Sequence, residues 1–177
     1  MIEELDMHLL DLAQNAFSAG ASRIDVSVIC DEEADRLTLR VSDDGKGMDE
    51  KTLNAVQRGY YSSKPGEAVG LGIPLLRETA RHCDGSFDVA SSVGGGTTVT
   101  AVFRRSHVDL PPFGDLAATF LNLIVTAGSH WVTITYRCDK QELELDTATL
   151  SDLLGDLPLQ HPEVIRFLKA YIGERLK

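Results

Sequence analysis

Residues 41–48 read Val41-Ser-Asp-Asp-Gly-Lys-Gly-Met48 and directly follow an alternating apolar run at residues 37–41. This alternation predicts a strand that ends where the glycines begin. Gly45 and Gly47 permit positive φ, and they let the backbone approach a flat ligand where a Cβ would collide. The same composition is also typical of an ordinary tight turn after a strand, so this stretch alone favours the plain turn.

Residues in this turn and in the helix before it have side chains that could contact a ligand. Asp43 can accept a hydrogen bond from an exocyclic amine, and Met48 offers a soft apolar wall to a ring. Upstream, the apolar spacing of residues 7–20 predicts an amphipathic helix on which Asp11 and Asn15, four residues apart, share one face. A polar stripe facing water is an equally good interpretation of this helix by itself.

Downstream of the turn, residues 58–72 form a polar, glycine-rich stretch without periodicity, which predicts a functional loop. A helix is predicted from residue 73 to residue 82. Gly70-Leu71-Gly72 immediately before it would present free N–H groups and the positive end of the helix dipole. With Lys64 in the same loop, simple electrostatics predicts a phosphate site here rather than a glycine hinge beside a solvated lysine.

The other elements follow from the same patterns. Period-two runs predict strands at residues 22–30, 85–91, 97–103, 131–136 and 141–145, and helices are predicted at 49–56, 115–127, 147–154 and 162–177. The patterning breaks between Arg104 and Phe113. We therefore divide the chain into a domain at 1–105, a linker at 106–114 and a small α+β unit of unknown role at 115–177.

Composition limits the possible functions. The 177 residues are 43% hydrophobic and 25% charged, with a formal net charge of −10 and no basic cluster, which argues against nucleic-acid binding. Cys30, Cys83 and Cys138 are widely spaced and odd in number, so we expect reduced, incidental cysteines. With no signal peptide and no apolar run long enough to span a bilayer, we expect a cytoplasmic protein without membrane contact.

Four signals that are weak separately occur together in one order. They are Asp11-x-x-x-Asn15, Asp43-x-Gly45-x-Gly47, Lys64 with Gly70-Leu-Gly72, and Ser92-x-Gly94-x-Gly96-Thr97. Jointly they resemble the GHKL superfamily, the ATP-binding fold of DNA gyrase, heat-shock chaperones, histidine kinases and MutL-type repair proteins. The resemblance covers roughly residues 5–103.

The resemblance implies the Bergerat ATP-binding fold, an α/β (α+β) two-layer sandwich. Its mixed, largely antiparallel sheet would carry helices on one face, and the nucleotide would lie between helices and sheet. It also implies ATP and Mg²⁺ as ligands. By resemblance Asn15 would bind Mg²⁺ through its carboxamide oxygen, and Asp43 would read adenine with help from the Thr97 hydroxyl. Gly45 and Gly47 would let the backbone close on the base beside Met48.

The resemblance further implies an ATP lid at about residues 57–72, which orders when nucleotide binds. Ser63, Lys64 and the backbone amides of Gly70, Leu71 and Gly72 would hold the phosphates in that lid.

The chain departs from the superfamily pattern at Asp11. Members that hydrolyse ATP carry a glutamate there, and aspartate is one methylene shorter, so water activation would be slow or would need a partner. Histidine kinases commonly have asparagine at this position and a phosphoacceptor hairpin ahead of the domain. Because the helix with Asp11 begins within a few residues of Met1, we expect no such hairpin here. His8 is one turn away and is expected to be a packing or surface residue. The sequence after this helix, residues 19–26, is most similar to that of MutL-type proteins. The acidic net charge argues against DNA binding by this chain.

Two functions follow from the resemblance. The first is an ATP-dependent protein kinase or ATPase in which Asp11 is the catalytic residue. This enzyme would act on or with a separate protein partner or phosphoacceptor. The alternative is a nucleotide-gated binding switch with little turnover. A retained fold with a dead pocket is disfavoured because Asn15, Asp43, Lys64 and every glycine of the pattern are present. The sequence leaves homodimer formation open.

Overall fold

The computed structural model describes residues 4–58 and 72–176. Within them, the predicted helices and strands are confirmed, with ends that differ by a few residues. No helix of this part is long and apolar enough to cross a membrane. The elements are α1 Leu5–Ser18, β1 Arg23–Asp31, β2 Arg36–Asp43, α2 Glu50–Arg58, α3 Gly72–His82, β3 Ser86–Ser91, β4 Thr97–Arg104, α4 Leu116–Thr126, β5 Trp131–Cys138, β6 Gln141–Asp146, α5 Thr147–Leu154 and α6 Pro162–Arg175.

The strands form one six-stranded sheet in the order β3-β4-β2-β1-β5-β6. Among the described strands, β1 and β5 pair in parallel and the other neighbours pair antiparallel. Val26 at the centre of β1 lies between Val41 of β2 and Ile134 of β5. The mixed, largely antiparallel sheet expected from the sequence is therefore confirmed.

The helices pack on one face of this sheet. Alternate residues of each strand are buried, as at Ile24, Val26 and Val28 of β1, and they join the apolar faces of the helices in a single core. Each large side chain buried in that core contributes on the order of 1.5–3 kcal/mol. The opposite face carries polar residues such as Asp25 and Ser27, which are only half-buried. A two-layer sandwich results, with the site residues at one end of the sheet.

Strands β5 and β6 extend the sheet formed by β1–β4. Strands from before and after the predicted linker therefore belong to one sheet. The division at residues 106–114 stays a prediction. The first turn of α1 is bonded to this segment, since Leu5 N donates to Pro112 O at 3.0 Å and Asp6 N donates to Phe113 O at 3.1 Å. The C-terminal residues thus hold the start of the helix that carries Asp11.

The expectation of three reduced, incidental cysteines is wrong. Cys30 and Cys138 form a disulfide across 108 residues of sequence, and only Cys83 is free. Their Cα atoms are 4.7 Å apart because β1 and β5 run in parallel and place the two residues side by side. The pair is invisible in the sequence because its spacing reflects strand pairing between distant segments rather than a compact cysteine motif.

Candidate functional site

Asp43 lies at the end of β2, where β1 and β4 flank it. It pairs with Ile24 on one side and with Thr97 on the other. Its Oδ1 accepts a hydrogen bond from Gly45 N at 2.8 Å. Burial raises the pKa of this half-buried carboxyl above the usual aspartate range, the backbone N–H groups of Gly45 and Thr97 oppose the shift, and neighbouring Asp44 adds to it. Asp43 is therefore a desolvated acceptor that a donor from a ligand would stabilise.

The two glycine loops beside Asp43 interlock. Gly47 has φ of +64°, and a Cβ there would lie 1.9 Å from the carbonyl oxygen of Ser92. Gly96 has φ of +75°, and its Cβ would lie 1.8 Å from the carbonyl oxygen of Asp43. Gly94 N also donates to Lys46 O at 2.8 Å. Glycine is thus required in each loop by the close approach of the other loop.

The hydroxyl of Ser91 links the two loops, a role that the sequence analysis missed. It donates to Gly96 O at 2.7 Å, accepts from Met48 N at 2.9 Å and lies 3.0 Å from Thr97 Oγ1. Because a hydroxyl has one proton to donate, Thr97 is the donor in the last contact, and its own lone pairs stay available. A serine at the end of a predicted strand carries no sequence signal for this role.

The turn after β2 is also fixed to α1 and to the start of β1. A Cβ on Gly45 would lie 2.9 Å from Ala19 Cβ, so the turn packs directly on the end of α1. The carboxylate of Asp44 accepts from Ser22 N at 2.7 Å and from Arg23 N at 2.8 Å. These hydrogen bonds lower the pKa of the Asp44 carboxyl, the Arg23 backbone N–H most. The two neighbouring aspartates therefore have opposite environments, and Asp44 serves to hold the turn.

Asp11 lies against the start of α3. A Cβ on Gly72, the first residue of that helix, would lie 2.7 Å from Asp11 Oδ2. Both Asp11 and Asn15 are exposed on α1. The Asn15 carboxamide makes no hydrogen bond within residues 4–58 and 72–176, so its oxygen can accept a ligand. The structure thus brings Asp11 beside the electropositive end of α3, with Asn15 one turn further along α1.

Four of the predicted phosphate-site residues, Ser63, Lys64, Gly70 and Leu71, lie outside the described residues. The helices on either side are joined, because Arg77 of α3 donates to the carbonyl oxygen of Gln57 in α2. Gln57 in turn donates to Val89 O of β3 at 3.1 Å. The two helices that flank the predicted lid are therefore linked to each other and, through Gln57, to β3.

The residues present fit Mg²⁺ as it is usually held beside phosphates. In the part of the chain that the structure describes, no group of three or more His, Cys, Asp or Glu could form a complete protein cage. Mg²⁺ typically keeps several waters and takes one or two protein oxygens together with phosphate oxygens. The exposed carboxamide of Asn15 offers one such oxygen, with the carboxylate of Asp11 one turn away.

Curated relatives match the same part of the chain. The sensor histidine kinase YxdK of Bacillus subtilis is 36% identical over 92 residues, which are 49% of this chain and 28% of the relative. YvrG, a sensor histidine kinase of the same organism, is 31% identical over 101 residues, 55% of this chain and 17% of the relative. ZraS of Escherichia coli is 32% identical over 98 residues, 55% of this chain and 21% of the relative. The chain thus spans less than a third of the length of these relatives.

Solved structures extend the likeness in fold. The N-terminal domain of a DNA repair protein superposes with a TM-score of 0.54 at 16% identity, covering 81% of this chain and 52% of that one. A sequence model for the "Histidine kinase-, DNA gyrase B-, and HSP90-like ATPase" family matches residues 2–107. That range contains α1, β1–β4 and every predicted site residue. The chain therefore belongs to the family of histidine kinase-, DNA gyrase B- and HSP90-like ATPases.

Proposed function

We propose that the protein binds Mg²⁺-ATP at this end of the sheet and acts as an ATP-dependent phosphotransferase or ATPase with a separate protein partner. Nucleotide binding follows from the family. The observation that supports this particular site best is the Asp43 carboxylate, half-buried between β1 and β4 and enclosed by two interlocked glycine loops. No other described carboxylate combines a glycine-lined approach with burial that raises its pKa.

The adenine end of the site is proposed at Asp43 and Thr97. Burial removes hydrogen bonds from water to the Asp43 carboxylate. A hydrogen bond donated by an exocyclic amine would replace part of them. The Thr97 hydroxyl donates to Ser91, so it faces a ligand as an acceptor, directly or through water. Met48 is half-buried beside this point and would give the ring an apolar contact.

The phosphate end is proposed between α1 and the start of α3. The N–H groups of the first turn of α3 would bind phosphate oxygens, and the Asn15 oxygen would bind Mg²⁺, which neutralises phosphate charge. Ser63, Lys64, Gly70 and Leu71 complete this proposal from the lid. Asp11 would then lie beside the terminal phosphate, where a carboxylate can orient and deprotonate water.

A phosphoacceptor on another protein is part of the proposal. The curated relatives are sensor histidine kinases by name, and this chain matches about a sixth to a quarter of their length. His8 on α1 is buried, which makes it a poor acceptor on its own chain. We therefore propose a separate protein as acceptor, the cytoplasm as the compartment and a homodimer as one form in which the protein acts.

The alternative function is a nucleotide-gated switch with little turnover. The short reach of Asp11 favours it, because a carboxylate one methylene further from the water would activate it poorly. ATP would then bind tightly and alter the surface offered to a partner without being consumed.

One assay separates these functions. Purified protein is incubated with Mg²⁺ and γ-labelled ATP, and free phosphate, labelled protein and bound ATP are followed together. Phosphate release that disappears in Asp11→Asn identifies an ATPase with Asp11 as its base. Bound ATP with neither release nor label identifies a switch, or a kinase that lacks its substrate. Failure of the wild type to bind ATP at all would overturn the proposal.

Asp88→Asn is the matched control for this assay. Asp88 is an exposed aspartate in β3, away from the site. Asp88→Asn removes the same single negative charge as Asp11→Asn, but from an exposed position in β3 instead of from α1, so its activity should equal that of the wild type.

A further inference from the structure

The Cys30–Cys138 disulfide lies at the end of the sheet opposite to Asp43. Cys30 is near the end of β1 and Cys138 is the last residue of β5. The partner of Asp43 on β1 is Ile24, six residues before Cys30, which corresponds to about 20 Å along an extended strand. The bond joins the part of the chain that matches the family, residues 2–107, to the C-terminal residues.

A cavity of about 340 Å³ opens beside this disulfide. Both cysteines contribute to its wall, Cys138 with only 3% of its surface exposed and Cys30 with a partly exposed one. Charged and polar side chains form the rest of the wall, so the cavity suits water and small polar solutes beside the two cysteines. These side chains are Glu32, Arg137, Asp139, Lys140, Gln141 and Glu142.

The third cysteine has a contrasting environment. Cys83 is fully buried, and burial raises the pKa of its thiol, with Asp109 and Asp84 adding to the shift. Its thiolate is therefore disfavoured at neutral pH, and its surface is closed to solvent. The chain thus contains a buried, unreactive cysteine as an internal reference for the accessible pair.

We propose that Cys30–Cys138 is a thiol–disulfide exchange site, whose substrate is a small thiol or dithiol that enters this cavity. An incoming thiolate would attack Cys30 Sγ, the more accessible sulfur. The S–S bond breaks, and its electron pair leaves on Cys138 Sγ, which takes a proton. A second thiol then attacks the added sulfur, so two thiols are oxidised to one disulfide while Cys30 and Cys138 are reduced.

Contacts other than the disulfide also join the strands at this end of the sheet. Arg105 at the end of β4 forms an ion pair with Asp139 of the β5–β6 turn and lies 3.7 Å from Glu32 of the β1–β2 turn. The β1–β5 backbone ladder also remains. We therefore expect reduction to break the covalent bond while the β1–β5 ladder still holds β5 in the sheet. In the cytoplasm, the compartment proposed above, disulfides are mainly catalytic or redox-sensing, and the agreement with an exchangeable bond rests on that proposal.

The test uses the full chain, oxidised with oxidised glutathione and then treated with reduced glutathione or dithiothreitol without denaturant. Alkylation followed by peptide mass spectrometry counts thiols at each cysteine. We expect glutathione to add at Cys30, dithiothreitol to free Cys30 and Cys138 together, and Cys83 to react only after denaturation. The melting temperature should fall by about 5–15 °C on reduction, because a loop of about 100 residues is opened.

Two results would overturn the proposal. One is free Cys30 and Cys138 after the oxidising treatment. The other is a bond that resists excess dithiothreitol until the protein unfolds, as a purely structural disulfide does. Cys83→Ser should keep the exchange, and Cys30→Ser should abolish it. ATP affinity is measured in both redox states and should be equal, so loss of ATP binding would count against the proposed function and not against this site.

Discussion

The carboxylate of Asp6 accepts a hydrogen bond from the backbone N–H of Asp115, 109 residues further along the chain, at 2.9 Å. The same Oδ2 lies 3.3 Å from the donor Thr119 Oγ1, and Asp6 is only 5% exposed. A further hydrogen bond joins the same two segments, because Asp6 N donates to Phe113 O. The helix that carries Asp11 is therefore held in place by residues beyond the family match.

Replacing Asp6 should destabilise the protein. In Asp6→Ala the N–H of Asp115 and the hydroxyl of Thr119 lose a buried acceptor, which costs about 1–3 kcal/mol. Urea unfolding followed by circular dichroism measures the difference. Asp88→Ala removes an exposed aspartate from β3 and should change little. Equal stability of the two variants would show that Asp6 does not join α1 to α4.

Two glycines of the same loop should respond differently to alanine. Gly94 and Gly96 both have positive φ, but a Cβ on Gly94 meets nothing within 4 Å. Gly94→Ala should therefore cost about 1–2 kcal/mol for the left-handed backbone alone. Gly96→Ala adds the clash with Asp43 O and should cost about 3 kcal/mol or more, with loss of ATP binding. Similar free energies of unfolding for both variants would contradict the interlocked loops.

Asp43→Asn should abolish ATP binding and leave the fold intact. The raised pKa shows that the charged form of Asp43 is disfavoured by burial, so a neutral amide of similar size is tolerated. The amide can no longer act as a full-charge acceptor for an exocyclic amine. Isothermal titration with ATP measures binding, and a thermal melt checks folding. Unchanged ATP affinity in the folded variant would contradict the proposal that Asp43 binds the exocyclic amine of adenine.

On acidification, ATP affinity should begin to fall at a pH above the ordinary pKa of an aspartate, because the pKa of Asp43 is raised. Since the folded-state pKa of Asp43 is raised, its own contribution to stability is present below the unfolded pKa and is lost as pH rises through the folded pKa. ATP binding needs the carboxylate and has the opposite dependence. Affinity is measured from about pH 4 to about pH 7.5.

The unfolding free energy provides the control for this pH dependence. The difference between wild type and Asp43→Asn, without ATP, should favour the wild type more at low pH than at neutral pH. Asp44 and Asp49 have lowered pKa values and change the unfolding free energy with pH in the other direction. Because both proteins contain them, their contributions cancel in the difference. A pH-independent difference would contradict the assigned environment of Asp43.

Asn15→Ala should remove the dependence of ATP binding on Mg²⁺. Asn15 is the described carboxamide on the pocket face of α1, and its loss leaves the ion without that protein oxygen. ATP titrations with Mg²⁺ or with EDTA measure the effect. Gln14→Ala changes an exposed neighbour of the same helix and should bind as the wild type does. If Asn15→Ala keeps its full Mg²⁺ dependence, the metal is held elsewhere.

Local patterns in the sequence were enough to predict the elements and the family. Period-two alternation located β1–β4, and helical spacing located α1 and α3, because these signals act over a few residues. The joint spacing of Asp11, Asn15, Asp43 and Thr97 indicated the superfamily, which the family match confirms. The individual roles of these residues stay predictions, and those of Ser63, Lys64, Gly70 and Leu71 concern the undescribed segment.

Contacts between distant segments were decided only by the tertiary structure. The sequence does not show that β5 pairs with β1 in parallel, because strand partners are chosen by packing and chain path rather than by local pattern. The Cys30–Cys138 bond and the Asp6–Asp115 hydrogen bond depend on that pairing and on the placement of α4. The sequence alone therefore determined which elements form and which family they belong to, and the folded chain determined which distant residues hold them together.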